Sequence, residues 1–422
     1  MVSVTIITWN SAKYLDECFT ALARQGYPEI EVIIVDNASE DGTRETLERA
    51  NSRWRVIYND TNVGFAAGQN QAIRASHGEW VLCLNPDVVL SPHFISQLVR
   101  AGEAHPEAGS LCGKLLRWDA GIRASYQGTT SVVANGAPKE EGFSPCKPLQ
   151  GLKPISYGND AARLKPCPDT KLPEAAAGLD SRDIEIHVPS PAPDPPDPRR
   201  TNVLDSTGIY FTRNMRHLDR GAEEIDRGQY DRMQYVFGAS GAAALFRRSF
   251  IDDVSVEGEF FDEEFFAFRE DGDLAWRAQV MGWKCLYVPT AVAWHVRRVT
   301  PERRRDLPLV INWHSAKNRF LMRGKNASGW LCRRLFWPVL WRDILTFGYA
   351  IVRDRRLWSA VTYWWRARDN IRRKRAIVQS RRRVSDRDLL WWFSNTPRSV
   401  DVGQQSALSH QPSAGGEASR EV

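Results

Sequence analysis

Cysteine is scarce in this 422-residue chain, and what there is follows no pairing pattern. The seven cysteines (Cys18, Cys83, Cys112, Cys146, Cys167, Cys285 and Cys332) include no CxxC pair and sit mostly in apolar runs. That argues against a disulfide framework and for reduced, buried thiols in a cytosolic setting. No basic leader precedes the first apolar run, VSVTIIT, so a signal peptide is not expected. Nor does a basic, glycine-rich loop follow that run. TWNSAKYLDE offers only Lys13, a poor grip for a nucleoside triphosphate.

What is present is ordinary in bulk and uneven in detail. Hydrophobic content of 42% and charged content of 26% are globular values, and the length allows two modest domains or one large one with appendages. The net charge of +6 hides an asymmetry. Between Leu331 and Arg383 fifteen Lys/Arg face three Asp, a local +12 that leaves about −6 for the rest. Nine of the sixteen tryptophans fall between Trp313 and Trp392. Basic residues interleaved with tryptophan suit a nucleic-acid surface or a membrane surface.

The first 118 residues alternate between strand-like and helix-like runs. VSVTIIT, IEVIIVDN, WRVIYND and EWVLCLNPD read as strands. Between them SAKYLDECFTALARQ, with Ser11 as N-cap, residues 39–50 and VGFAAGQNQAIRAS read as helices. That order predicts a parallel sheet covered on both faces, with ligands at the carboxyl ends of the strands. Those ends carry Thr8, Asn10, Asp36 and Asn85-Pro86-Asp87. From residue 119 to 202 periodicity fades into PSPAPDPPDPRR, which is expected to be a largely disordered insertion. Order is expected again from VLDSTGIYFTRN onward, and residues 384–422 read as a disordered tail.

Five places carry potential chemistry. Pro86 cannot extend a sheet ladder, so Asn85-Pro86-Asp87 either forms a plain turn or holds a carboxylate rigidly for a divalent cation. In REDGDLAWR, Glu270, Asp271 and Asp273 crowd the start of a helix. A cap explains one acid well and three poorly, and a carboxylate among acids suits a general base. Arg277, four residues beyond Asp273, can pair with it and make it structural. His295, followed by Arg297 and Arg298, is either structural or a contact to metal or diphosphate. Asp36 either caps the next helix or binds a base or ribose. The small residues of FGASGAAALFRR permit close backbone approach to a ligand, or tight packing alone.

Taken in order, VTIITWN, VIIVDNASEDGT, NVGFAAGQNQAI, WVLCLNPDV, FGASGAAALFRR, FFDEEFFAFREDGDLAWR and YVPTAVAWHVRR resemble a family 2 inverting glycosyltransferase of the GT-A fold. Within that family the motifs are most similar to the bacterial rhamnosyltransferase-like group. The resemblance covers about residues 1–118 and 203–325. It implies a mixed sheet flanked by helices, a nucleoside diphosphate sugar donor and Mg²⁺ or Mn²⁺. It implies Asp271 as catalytic base, and Thr8, Asn10, Asp36, Asn62, Gly64, Asn85 and Asp87 at the donor, Asp36 meeting the nucleoside. Asp87 and His295 would serve the metal. Gly238, Ser240, Glu270, Asp273 and Arg277 would lie on the acceptor side or support Asp271. Asn85 stands where many relatives carry Asp, so an uncharged amide replaces one ligand of the motif.

The expected organisation is a donor-binding half at 1–118, the insertion at 119–202, an acceptor half at 203–300, a basic, Trp-rich helical extension at 301–383 and the tail. The expected reaction moves a sugar, rhamnose from dTDP-rhamnose above all, to a glycan or polyprenyl-diphosphate-linked saccharide of the cell envelope. A UDP- or GDP-sugar is the alternative donor. LFWPVLWRDILTFGYAIVRDRRLW clusters its apolar residues in one helical half. A spanning helix would bury Arg342 and Asp343 at roughly 2.5–3.5 kcal/mol each. Peripheral contact through 335–383, at the inner face of the cytoplasmic membrane, avoids that; packing on the catalytic core is the other reading. The rival functions are a nucleotidyltransferase, which Lys13 alone serves poorly, and a non-catalytic binding protein with a membrane- or nucleic-acid-binding basic end. No nucleic-acid partner is expected.

Overall fold

The computed structural model describes residues 1–50, 53–118, 197, 199–297, 309–353 and 358–402. These belong to one compact unit, Met1–Ile122 with Pro196–Val422. The expected insertion therefore lies almost wholly outside the described residues, as do Cys146 and Cys167.

The N-terminal alternation is present. Strand β1 (Val2–Thr8), helix α1 (Ala12–Ala23), β2 (Ile30–Asn37), α2 (Thr43–Ala50), β3 (Arg55–Asn59), α3 (Phe65–Arg74) and β4 (Trp80–Leu84) follow in turn. β4, β1, β2 and β3 pair in parallel. Alternate side chains serve opposite faces: Val4, Ile6, Val32 and Ile34 join one buried cluster, Ile7, Ile33 and Val35 another. Two details differ from the sequence reading. Ser11 occupies the N-cap position but its hydroxyl turns to the Trp9 carbonyl and caps nothing. Helix α2 begins at Thr43, because residues 39–42 wrap around Asp36, and Asp41 accepts the Thr43 N–H at 3.2 Å.

After the short β5 (Val88–Leu90) and α4 (Phe94–Ala104) come β6 (Ala108–Trp118), β7 (Arg200–Ser206), β8 (Ile209–Phe211), β9 (His217–Asp219), β10 (Gln234–Val236) and β11 (Ala243–Arg247). Order thus resumes at residue 200, inside the expected insertion, because β7 pairs with β6. Helix α5 (Arg248–Val254), α6 (Glu270–Val280) and β12 (Lys284–His295) complete the core. The sheet is mixed: β11 runs antiparallel between β4 and β6, and β12 runs parallel to β6. A mixed sheet flanked by helices is what the resemblance implied.

The C-terminal extension is helical, with α7 (Leu309–Asn326), α8 (Gly329–Arg334), α9 (Phe336–Arg353), α10 (Trp358–Ser380) and α11 (Asp386–Trp391). The reading of 384–422 as a disordered tail fails for its first part. α11 and β13 (Val400–Asp401) are ordered, and β13 extends the sheet beside β10. The anchors are apolar: Leu389, Phe393 and Val400 are buried, and Phe393 packs on Phe211 and Trp276. Cysteines 18, 83, 112 and 285 are buried free thiols, but Cys332 is exposed.

A buried ionic cluster binds the extension to the core. The ammonium of Lys325 meets both Asp262 and Asp273, the latter at 3.0 Å. Lys374 meets Asp262 at 2.9 Å and Glu259 at 2.7 Å, and the Asn326 amide donates to Asp273 at 2.7 Å. Burial alone would raise the Asp262 carboxyl, but the two lysines hold it well below the ordinary range. Removing one partner strands a charge without water. Lys325→Met is expected to cost about 3–5 kcal/mol in urea unfolding. Arg373→Met, which breaks only exposed contacts with Glu257 and Asn370, should leave the midpoint unchanged.

Candidate functional site

The site begins where β4 stops. Asn85 N–H donates to the Ala242 carbonyl at 2.8 Å, one step past the β4–β11 ladder, and Val88 N–H closes on the Asn85 carbonyl at 3.3 Å. Pro86 supplies no donor, so the chain leaves β11 there. β5 then pairs antiparallel with the end of β12, Val88 opposite His295, and Val296 N–H donates to the Asp87 carbonyl at 2.9 Å. That register sets His295 Nε2 3.5 Å from Asp87 Oδ1.

His295 is the middle of a chain of charges. Its Nδ1 lies 2.8 Å from Asp205 on β7. Arg297 bonds Asp205 at 3.0 Å and Asp219, the last residue of β9, at 2.6 Å. Burial alone would lower the imidazole, but Asp87 and then Asp205 outweigh it and raise His295 to about 10. It is therefore an imidazolium at neutral pH, donating an N–H towards each carboxylate. Asp205 sits below its ordinary value, since His295 and Arg297 overcome its burial.

In this arrangement His295 holds Asp87 in place, with its Nε2 beside the carboxylate that would meet a metal. Among the described residues no group of three His, Cys, Asp or Glu side chains is arranged around a metal. In Mg²⁺ or Mn²⁺ chemistry one or two carboxylates act together with substrate phosphates. Asp87, with the Asn85 amide oxygen, is the pair that fits.

Asp271 reaches the same edge of the sheet from α6. Its Oδ2 accepts Gly241 N–H at 3.2 Å and its Oδ1 accepts Gly272 N–H at 2.7 Å. His217 Nε2 stands 3.9 Å from Oδ1, with Arg269 behind it, 3.4 Å from His217 Nδ1. Gly241 precedes Ala242, the residue that holds Asn85. The turn bearing Asp87 and the carboxylate of Asp271 are thus joined through two adjacent residues. A second route runs from Asp87 through His295, Asp205 and Arg297 to Asp219, whose charge acts on that of Asp271. Burial raises Asp271 despite its N–H bonds and Arg269.

The neighbouring acids behave differently. Glu270 is pushed up to about 8 by burial, with Asp271 and Asp273 adding to it, and its buried Oε2 has no hydrogen-bond partner. Asp273 belongs to the Lys325 cluster and stands 3.9 Å from Arg277. Arg277 donates to the Phe260 carbonyl at 2.6 Å. Asp273 is committed to packing α6 against the extension, and Arg277 to the Phe260 segment. Gly238 accepts Ile209 N–H at 2.8 Å, and Ser240 lies half-buried in the same loop.

On the donor half, Asp36 is fully buried and heavily bonded. It accepts Thr8 Oγ1 at 2.8 Å, Ser39 N at 3.1 Å and Oγ at 2.5 Å, and Arg44 Nε at 3.2 Å. Asn10, at φ 50°, accepts Glu40 N–H at 2.9 Å. Asn62 accepts Gly64 N–H at 2.9 Å. Gly64 is required: at φ 89° and ψ 167° it occupies a region almost confined to glycine, and a Cβ would lie 2.6 Å from the Phe266 ring. Ala66 N–H donates to the Phe266 carbonyl at 3.1 Å, so this loop rests on the segment leading to Asp271.

Sequence reasoning missed Asp205, Asp219, His217 and Arg269. Each is one polar residue in or beside a short element after the insertion, and only pairing with His295 or Asp271 distinguishes it.

Residues 3–127 match the model of Glycosyl transferase family 2. Glycosyltransferase GlyG of Streptococcus pneumoniae is 30% identical over 101 residues, 23% of this chain; the match spans about a third (34%) of that relative's length. The N-acetylglucosaminyl-diphospho-decaprenol L-rhamnosyltransferase of Mycobacterium tuberculosis is 23% identical over 352 residues, covering 80% of this chain and 89% of that one. Among solved structures, Staphylococcus aureus TarS 1-349 aligns with TM-score 0.44 and 15% identity over 90% of each chain. The N-terminal part of the chain is thus similar to the family 2 glycosyl transferase model, and most of the chain is similar to that rhamnosyltransferase at 23% identity.

One consequence is measurable in the folded state. Glu270 holds its proton to about pH 8 when folded, and its ordinary value is 4.5, so the native state binds that proton more tightly than the unfolded chain. Its contribution to stability is complete below pH 4.5 and is lost as pH rises through 8. Glu270→Gln has no such proton. Between pH 6 and 9 the variant's melting temperature should fall less than the wild type's.

Proposed function

We propose that the protein is an inverting glycosyltransferase of cell-envelope polysaccharide synthesis, moving a sugar from a nucleoside diphosphate to a hydroxyl. One observation carries this reading: Asn85 and Asp271 bond to the adjacent residues Ala242 and Gly241, which sets Asp87 and Asp271 around one edge of the sheet. Open α/β sheets bind ligands at that edge.

In the reaction a carboxylate oxygen of Asp271 takes the proton from the acceptor hydroxyl. The acceptor oxygen attacks the anomeric carbon as the bond to the diphosphate breaks on the opposite face, which inverts the configuration. Burial keeps Asp271 basic for a carboxylate, and the Gly241 and Gly272 N–H groups aim it. A Mg²⁺ or Mn²⁺ held by Asp87 and Asn85 would stabilise the charge on the leaving diphosphate. His295 and Arg297 hold Asp87 and Asp205 in place and add positive charge nearby.

The rhamnosyltransferase named above supports a deoxyhexose donor such as dTDP-rhamnose and a polyprenyl-diphosphate-linked acceptor. With such an acceptor the enzyme would work at the cytoplasmic face of a membrane. Screening dTDP-, UDP- and GDP-sugars with and without Mn²⁺, by thermal shift and donor hydrolysis, tests the donor. No response to any of them would remove the transferase reading in favour of a non-catalytic one.

Two variants test the roles. Asp271→Asn is expected to keep donor binding and lose at least about a hundredfold in transfer rate; transfer at the normal rate would reject it as the base. Asp87→Ala is expected to weaken donor binding in the presence of Mn²⁺. Unchanged Mn²⁺-dependent binding would remove its metal role.

A further inference from the structure

We propose that the outer face of α9 is a docking surface for an anionic lipid membrane, which the helix meets lying in the plane of the interface.

The helix is amphipathic the wrong way round for a soluble protein. Trp337, Trp341, Ile344, Leu345 and Gly348 share one stripe at helical spacing and face outward. Trp337 is 75% exposed and Trp341 65%. Asp343 and Thr346 face inward. Asp343 takes Arg319 and Arg323, each at 2.8 Å, and Thr346 accepts from Arg319 at 2.9 Å. Phe347 stacks on Phe320 and Val339 packs on the core. The protein therefore satisfies the charge at mid-helix and leaves the apolar side uncovered. An exposed patch of this kind marks an interaction surface.

Three observations select the occupant. No helix among the described residues is long and apolar enough to cross a membrane, so contact is in-plane. The helix is about 27 Å long at 1.5 Å per residue, and tryptophans on one side suit the boundary between headgroups and chains. Exposed cations accompany the stripe in sequence: Arg333 and Arg334 lie just before it. On α10 the exposed Trp358 and Trp365 share a stripe with exposed Arg372. The exposed Arg333, Arg334 and Arg366 add positive charge, which attracts anionic lipid and opposes pairing with a second copy. The α9 stripe itself holds no cation to meet a nucleic-acid phosphate.

This inference goes beyond the transferase reading and needs neither donor nor acceptor, so either can fail alone. The full-length protein is sedimented with phosphatidylcholine vesicles containing phosphatidylglycerol, and with phosphatidylcholine alone. It is expected to sediment with the mixed vesicles, less with the neutral ones, and its tryptophan emission to shift blue. W337E/W341E is expected to lower binding at least about tenfold. R333E/R334E, which leaves the apolar stripe intact, is expected to lose the preference for anionic vesicles. The proposal is overturned if the wild type stays in the supernatant with both vesicle types, or if W337E/W341E, folded by circular dichroism, binds like the wild type. A vesicle-free dimer that W337E/W341E dissolves, or binding to DNA in place of vesicles, overturns it too.

Discussion

The hydrogen bond from Asn85 N–H to the Ala242 carbonyl organises the rest of the site. It exists because β11, a strand from the second half of the chain, runs antiparallel beside β4. The ladder ends where Pro86 removes a donor, and the two strands part there with their loops still in register. Asp87 leaves on one side. Gly241, beside Ala242, holds Asp271 on the other. Shifting β11 by one residue would turn its buried alanines to the other face and separate the two carboxylates.

Burial then differentiates groups that look alike in sequence. Glu270, Asp271 and Asp273 are near neighbours in the chain and have three different fates. Glu270 lies buried with an unpaired oxygen and is protonated at neutral pH. Asp271 has two N–H donors and faces the sheet edge. Asp273 is locked to Lys325 and Asn326. The cations are divided in the same way. His295 lies between two carboxylates and stays charged. Lys325 and Lys374 neutralise the acids beneath α6 and join the helical extension to the core.

The extension shows the opposite economy on its outer side. Helix α9 spends its polar residues on the protein and turns tryptophan, isoleucine and leucine to the outside. A helix stable only by burial would have reversed that order. The cluster beneath α6 and the ion pairs of Asp343 hold the extension in place, which frees its apolar side for another surface.

The sequence by itself determined the local elements and where polar residues would collect. The first four strands and the break at Asn85-Pro86-Asp87 are written in alternating apolar runs and a proline, signals that act within a few residues. The acidic start of α6 was legible for the same reason. The direction of α9's apolar stripe was not. Periodicity shows that a stripe exists, but which side meets the protein depends on Arg319 and Arg323 from another helix. Leu389, Phe393 and Val400 were likewise taken for a tail because their partners lie far away in the chain. Asp205, Asp219 and His217 gave no sign at all. Tertiary structure alone decided which carboxylates would be paired, protonated or presented, since a side chain's charge state follows from neighbours that only folding supplies.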